Sequence, residues 1–138
     1  MNKVAAGIVP ASFWVIAGAG MIWNAIGGII YTWSKLDPSA ALAKASPAMQ
    51  AYIATMPIWA HLGWSLGVWG SVAGSVLMLV RSRYAVPAFL VSLVGAIVSY
   101  AAQAIAAVLE PALSIFTVLV IAFLWHYARR SAVQGLLG

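Results

Sequence analysis

Cysteine is absent from this 138-residue chain and charge nearly so, with two acids against seven Lys and Arg and only 7% charged residues in all. Without a thiol there can be no disulfide, no thiolate metal site and no thiol redox chemistry. What fills the chain instead is apolar. A hydrophobic fraction of 64% is far too large to hide inside a soluble domain of this size, so the solvent for most of the surface must be lipid. The formal charge of +5 comes from basic residues scattered at the ends of apolar stretches rather than gathered into a stripe. That pattern fits anchoring in a lipid bilayer and argues against nucleic acid as a partner.

Four apolar stretches are each long enough to cross a bilayer as a helix, which takes about 20 residues. They run over 12–33, 57–80, 85–108 and 111–127. Pro10 and Ser12 open the first, Thr55 is placed to cap the second with Pro57 in its first turn, and Pro111 opens the fourth. Lys3 ahead of an apolar run resembles a signal peptide, but the run continues to Trp33 and reads as an uncleaved first helix. With tight turns at 81–84 and 109–111, the fold class is all-α: a polytopic, antiparallel four-transmembrane-helix bundle, one domain spanning residues 1–138. Lys3, Arg81, Arg83, Arg129 and Arg130 then share one side, with Lys35, Lys44, Asp37 and Glu110 on the other. The excess of positive charge predicts that both termini are cytoplasmic. Trp14, Trp33, Trp59, Tyr84, Trp125 and Tyr127 fall near helix ends, as interfacial anchors do.

The one long connection, 34–56, lies between the first two spans. Asp37-Pro38-Ser39 is a helix-start signal, and Ser46-Pro47 interrupts and restarts. In the second piece Met49, Tyr52, Ile53 and Met56 recur at helical spacing, so an amphipathic segment at the outer interface is expected, either packed on the bundle as a connector or covering a cavity in it.

At 100° per residue, Gly20, Asn24, Gly27 and Tyr31 share an arc of the first helix, and Gly63, Gly67, Gly70 and Gly74 an arc of the second. Rows of small residues let helices approach closely in lipid, so these glycines read as helix-packing surface that pairs the first two spans. The third helix carries Ser92, Gly95, Ala96, Ser99 and Gln103 along one side. A set of polar residues gathers toward the outer third of the bundle: Tyr31, His61, Trp64, Ser65, Gln103, Ser114 and Thr117, with Asn24 deeper and Glu110 at the rim. Polar groups in hydrocarbon are costly unless paired, hydrated or buried among helices. Two readings follow: an outward-opening pocket for a small ligand, or a hydrogen-bonded layer that fixes helix register.

Several chemistries fail on position. His61 and His126 are separated by roughly 16 Å of depth, too far to share a haem iron. Two isolated histidines do not make a metal centre, no acid lies within a span as a proton-coupled exporter of four-helix subunits would want, and no nucleophile sits with a base. The sequence nominates no catalytic residues, no metal and no cofactor.

Trp23-Asn24, then Pro57-Ile58-Trp59, Trp64 and Trp69-Gly70, the run Gly74-Ser75-Val76-Leu77-Met78-Leu79-Val80-Arg81, and Ala85-Val86-Pro87 with Ser92-Leu93 resemble a family of small bacterial four-helix inner-membrane proteins whose members often carry the label sugar transporter. The resemblance covers the first three helices and implies a bacterial inner membrane and the same topology. It brings no mechanism. The functional expectation is a membrane protein that binds or transports a small molecule, alone or as a homo-oligomer, or else an accessory subunit packed against a larger membrane complex.

Overall fold

A computed structural model describes residues 8–138; Lys3, counted above among the cytoplasmic basic residues, lies outside that range. The chain forms helices α1 (Ala11–Leu36), α2 (Pro38–Ala41), α3 (Pro47–Thr55), α4 (Ile58–Leu79), α5 (Ala85–Ile105) and α6 (Pro111–Val133). Among them α1, α4, α5 and α6 are long and apolar enough to cross a membrane. In hydrocarbon a helix satisfies every backbone polar group within its own segment, and the protein is accordingly a multi-pass, all-α four-helix bundle. Its two ends differ. One carries the start of α1, the C-terminal tail and the α4–α5 turn, the other carries α2, α3 and the α5–α6 turn; they are the terminal end and the loop end below.

The helix stops are built alike. At the end of α4 the Ser82 N–H returns to the Leu77 carbonyl and Arg81 to Met78; at the end of α5 Val108 returns to Gln103 and Ala107 to Ala104; at the end of α6 Leu136 returns to Ser131 and Gly135 to Ala132. Each is a Schellman motif, which needs a left-handed residue at its pivot. Gly135 adopts φ +77° without strain, but Arg81 (φ 60°) and Ala107 (φ 58°) carry side chains into that region, where Cβ crowds the carbonyl oxygen. Ala107 therefore ends α5 at Ile105, short of the expected Val108. Nothing before Gly135 breaks the last helix, so α6 continues past Tyr127 to Val133. Thr55 does not cap α4: its hydroxyl bonds back to the Ala51 carbonyl, and Pro57 is itself the N-cap. In the connection, Asp37 accepts from Ala40 N–H ahead of Pro38, and Ser46 accepts from Met49 N–H ahead of Pro47, as the sequence predicts.

The packed core sits at the terminal end. Phe13, Ala17, Met78, Phe89, Leu124 and Ala128 are buried together with Leu136 and Leu137 of the C-terminal tail. That tail returns to the α4–α5 turn, where Gly138 N–H donates to the Arg81 carbonyl, Arg83 N–H donates to the Gly138 carbonyl, and Arg81 Nε donates to the Leu136 carbonyl.

Glycine sets the spacing of the helices. A Cβ on Gly95 would lie 2.6 Å from the Gly67 backbone nitrogen and 2.7 Å from the Gly63 carbonyl oxygen, so α4 and α5 touch backbone to backbone. Gly67 meets Ala96, Gly70 meets Ser92 and Gly74 meets the Phe89 ring. The Ser92 hydroxyl donates across this seam to the Gly67 carbonyl at 2.6 Å. The expected pairing of the first two spans through these rows is thus corrected: the α4 row serves α5, because α5 offers the complementary small residues. On α1, Gly20 packs under Leu124 of α6, and Gly28 rather than Gly27 meets α4, against Val72 and Trp69. A Cβ on Gly27 would meet nothing within 4 Å, so its assignment to helix packing is also corrected.

Candidate functional site

Around the ring, α1 leans on α4, α4 on α5 and α5 on α6, while α1 and α6 have no comparable backbone approach. Bulky side chains hold them apart: Leu124 against Gly20, Phe116 edge-on to Trp23 at 5.1 Å between ring centroids, and Phe13 beside Tyr127. One glycine-tight wall opposite one side-chain-wide seam leaves a void. A cavity of about 280 Å³ lies there, lined from all four long helices, with Asn24 and Gly27 of α1, Trp64 and Ser71 of α4, Ser99 and Gln103 of α5, and Thr117 and Ile121 of α6. Half-exposed Ile26 and Ile30 of α1 and Leu113 of α6 also line it, so the α1–α6 seam gives the cavity a side facing the bilayer.

A second cavity of about 220 Å³ lies toward the loop end. Its roof is α3, whose Met49, Tyr52 and Ile53 line it together with Met56 just beyond the helix, and Glu110, the N-cap of α6, and Ser114 of α6 line it as well. Burial there pushes the Tyr52 phenol up from its ordinary pKa, keeping it a neutral donor. Trp64, Ser99, Tyr100, Gln103 and Leu113 line both cavities. The two are adjoining chambers that share these five residues as walls, and only together do they reach the size range typical of small-molecule pockets.

The expected polar layer divides into three groups. Asn24, buried against α4, donates its amide N–H groups to Ser75 Oγ (2.8 Å) and the Ser71 carbonyl (3.3 Å). Nearer the loop end, Lys35 Nζ lies 3.2 Å from His61 Nδ1, His61 Nε2 3.4 Å from the Tyr31 hydroxyl, and that hydroxyl 2.6 Å from Ser65 Oγ. An ammonium only donates, which assigns Nδ1 as acceptor and puts the ring proton on Nε2. The chain of donors then runs from Lys35 through His61 and Tyr31 to Ser65. Trp64 backs this group, edge-on to Tyr31 at 4.8 Å, with the Lys35 ammonium 4.9 Å from its ring centroid. His61, Tyr31 and Ser65 line neither chamber, so of the expected layer only Asn24, Trp64, Gln103, Glu110, Ser114 and Thr117 reach the cavities.

Gln103, Thr117 and Glu110 form the third group, at the chambers. The Glu110 carboxylate does not cap α6, and Ser114 Oγ bonds the Glu110 backbone carbonyl. Sequence reasoning did not single out Ser71 and Ser75, the partners of Asn24, or Tyr100 on the wall that the chambers share. Ser71 and Ser75 were legible in principle, being four apart on the helix face that α1 covers.

Among the described residues no group of His, Asp and Glu could hold a metal ion. No family profile, curated protein or solved structure matches the chain.

Proposed function

We propose that this protein binds a small, mostly apolar molecule in the two-chambered cavity, admitting it from the lipid through the α1–α6 seam. In this reading it resides in a bacterial inner membrane with both termini cytoplasmic, so α3 roofs the site at the outer leaflet and the protein presents or transports its ligand there. The observation that carries the proposal is the cavity itself: four helices surround space that their own side chains leave unfilled, where a purely structural bundle would close to native packing density.

Gly27 supplies the test. A Cβ there meets nothing within 4 Å and the residue lines the cavity, so Gly27→Leu places its side chain in that space rather than in a helix contact. Wild type and variant, extracted into lipid nanodiscs and analysed by native mass spectrometry, are expected to differ by a small molecule retained only by the wild type. Identical complements in two equally folded proteins would sink the proposal.

A second reading, an accessory subunit packed against a larger membrane complex, draws on the other two polar groups. Asn24 with Ser75, and Tyr31 with Ser65, bond one another as register pins do. That reading predicts a protein partner in the same spectra, unchanged by Gly27→Leu.

A further inference from the structure

Resting on the cavity-binding reading, we infer that the ligand is a lipophilic organic cation, its charged head in the chamber beneath α3 and its apolar body in the deeper one. The chamber beneath α3 is lined by three aromatic residues, Tyr52, Trp64 and Tyr100, by Met49 and Met56, and by Glu110, an exposed acid and the only charged residue there, with no Lys, Arg or His among its lining residues. The faces of aromatic rings attract cations, most strongly when water is excluded. Sulfur is soft and polarisable and conforms to rounded groups. One carboxylate supplies the opposite charge, and a quaternary ammonium needs no hydrogen-bond acceptor beyond it.

The neighbouring cation does not occupy the chamber. Lys35 lines neither chamber; its ammonium is held over the rings of Trp64 and Tyr31 and against His61. The deeper chamber suits an alkyl or aryl body, being walled mainly by residues such as Ile26, Ile30, Val68, Leu113 and Ile121. A carboxylate or phosphate head would meet Glu110 as a like charge, with no basic side chain lining either chamber to offset it. The same cationic chemistry occurs in free amphiphiles and in choline lipid headgroups, and the test separates these sources.

The probes are decyltrimethylammonium, 1-decanol and decyl sulfate, each titrated below its micelle concentration into phosphatidylethanolamine–phosphatidylglycerol nanodiscs holding the full chain. Saturable binding is read by tryptophan fluorescence and calorimetry, with empty discs subtracted. Wild type is expected to prefer the cation over both other probes, and Glu110→Gln to lose about tenfold in cation affinity while binding decanol as before. Equal binding of decanol and the cation, insensitive to Glu110→Gln but abolished by Gly27→Leu, overturns the cationic assignment and leaves the cavity reading standing. Absence of saturable binding by all three probes overturns both. Where the cation is preferred, displacement by added phosphatidylcholine assigns the head to a lipid, and persistence against it assigns a free amphiphile.

Discussion

At the scale of single residues, the same residue type does opposite work according to what faces it. Gly95 is irreplaceable because its missing Cβ is occupied by the backbone of α4. Gly95→Ala is expected to cost at or above the upper end of the roughly 1–3 kcal/mol typical of overpacking, read as earlier unfolding in a denaturant titration in mixed micelles. Gly27→Ala, which meets open space, should be at least as stable as wild type in that assay, gaining up to about 1 kcal/mol from helix propensity, and equal loss in the two variants would contradict this packing. Asn24 presents the matching case among polar residues. Its two donated bonds bridge α1 to α4, and interhelical hydrogen bonds in lipid average about 0.6 kcal/mol each. Asn24→Ala should therefore destabilise by about 1–2 kcal/mol once the lost side-chain packing is included, and Ser75→Ala by less; a stabilised Asn24→Ala would mean the amide is not paired. Periodicity identified the α4 glycine row from sequence but not its partner, because a stripe of small residues states that something approaches closely without saying what. Only the complementary Ser92, Gly95 and Ala96 on α5 decide that.

Among the helices as elements, spans and starts were legible and stops were less so. Hydropathy and Pro or Ser start signals located the four long helices and the divided connection to within a few residues. The end of α5 could not be read, because Ala107 adopts a left-handed conformation that nothing in its type advertises. Replacing it by glycine relieves that conformation at some cost in chain entropy, so Ala107→Gly should stabilise the protein by roughly 0.5–1 kcal/mol, measurable as a later unfolding midpoint; destabilisation would show that the turn depends on the methyl group. The α3 segment was legible as an amphipathic piece from Met49, Tyr52, Ile53 and Met56. That those four side chains roof a chamber, rather than resting on closed helices, depends on the width of the α1–α6 seam. That width is a property of tertiary packing, which no local window contains.

In the whole molecule the asymmetry runs from end to end. The terminal end holds the buried core and a tail tied back by Arg81 and Arg83, and the loop end holds both chambers. Four arginines lie toward the first end, Arg81, Arg83, Arg129 and Arg130, and the two acids toward the second. Because the chain contains no cysteine, single-cysteine variants report orientation without background. In intact bacterial cells, Lys44→Cys should react with a membrane-impermeant maleimide, and Arg130→Cys only after permeabilisation; the reverse pattern would invert the topology. The ring of four helices is also unevenly tied. Pairs of side-chain hydrogen bonds join α1 to α4, and a serine joins α5 to α4, whereas no side-chain hydrogen bond among the described residues joins α6 to a neighbouring helix. Anchored by Leu124 and Ala128 in the terminal core, α6 is a lever with its fulcrum low in the membrane. Leu113 sits about 16 Å along that arm from Leu124, and a tilt of about 5° swings it outward by roughly 1.4 Å. The compliance of the bundle is thereby concentrated in its last helix, at the wall that borders the lipid.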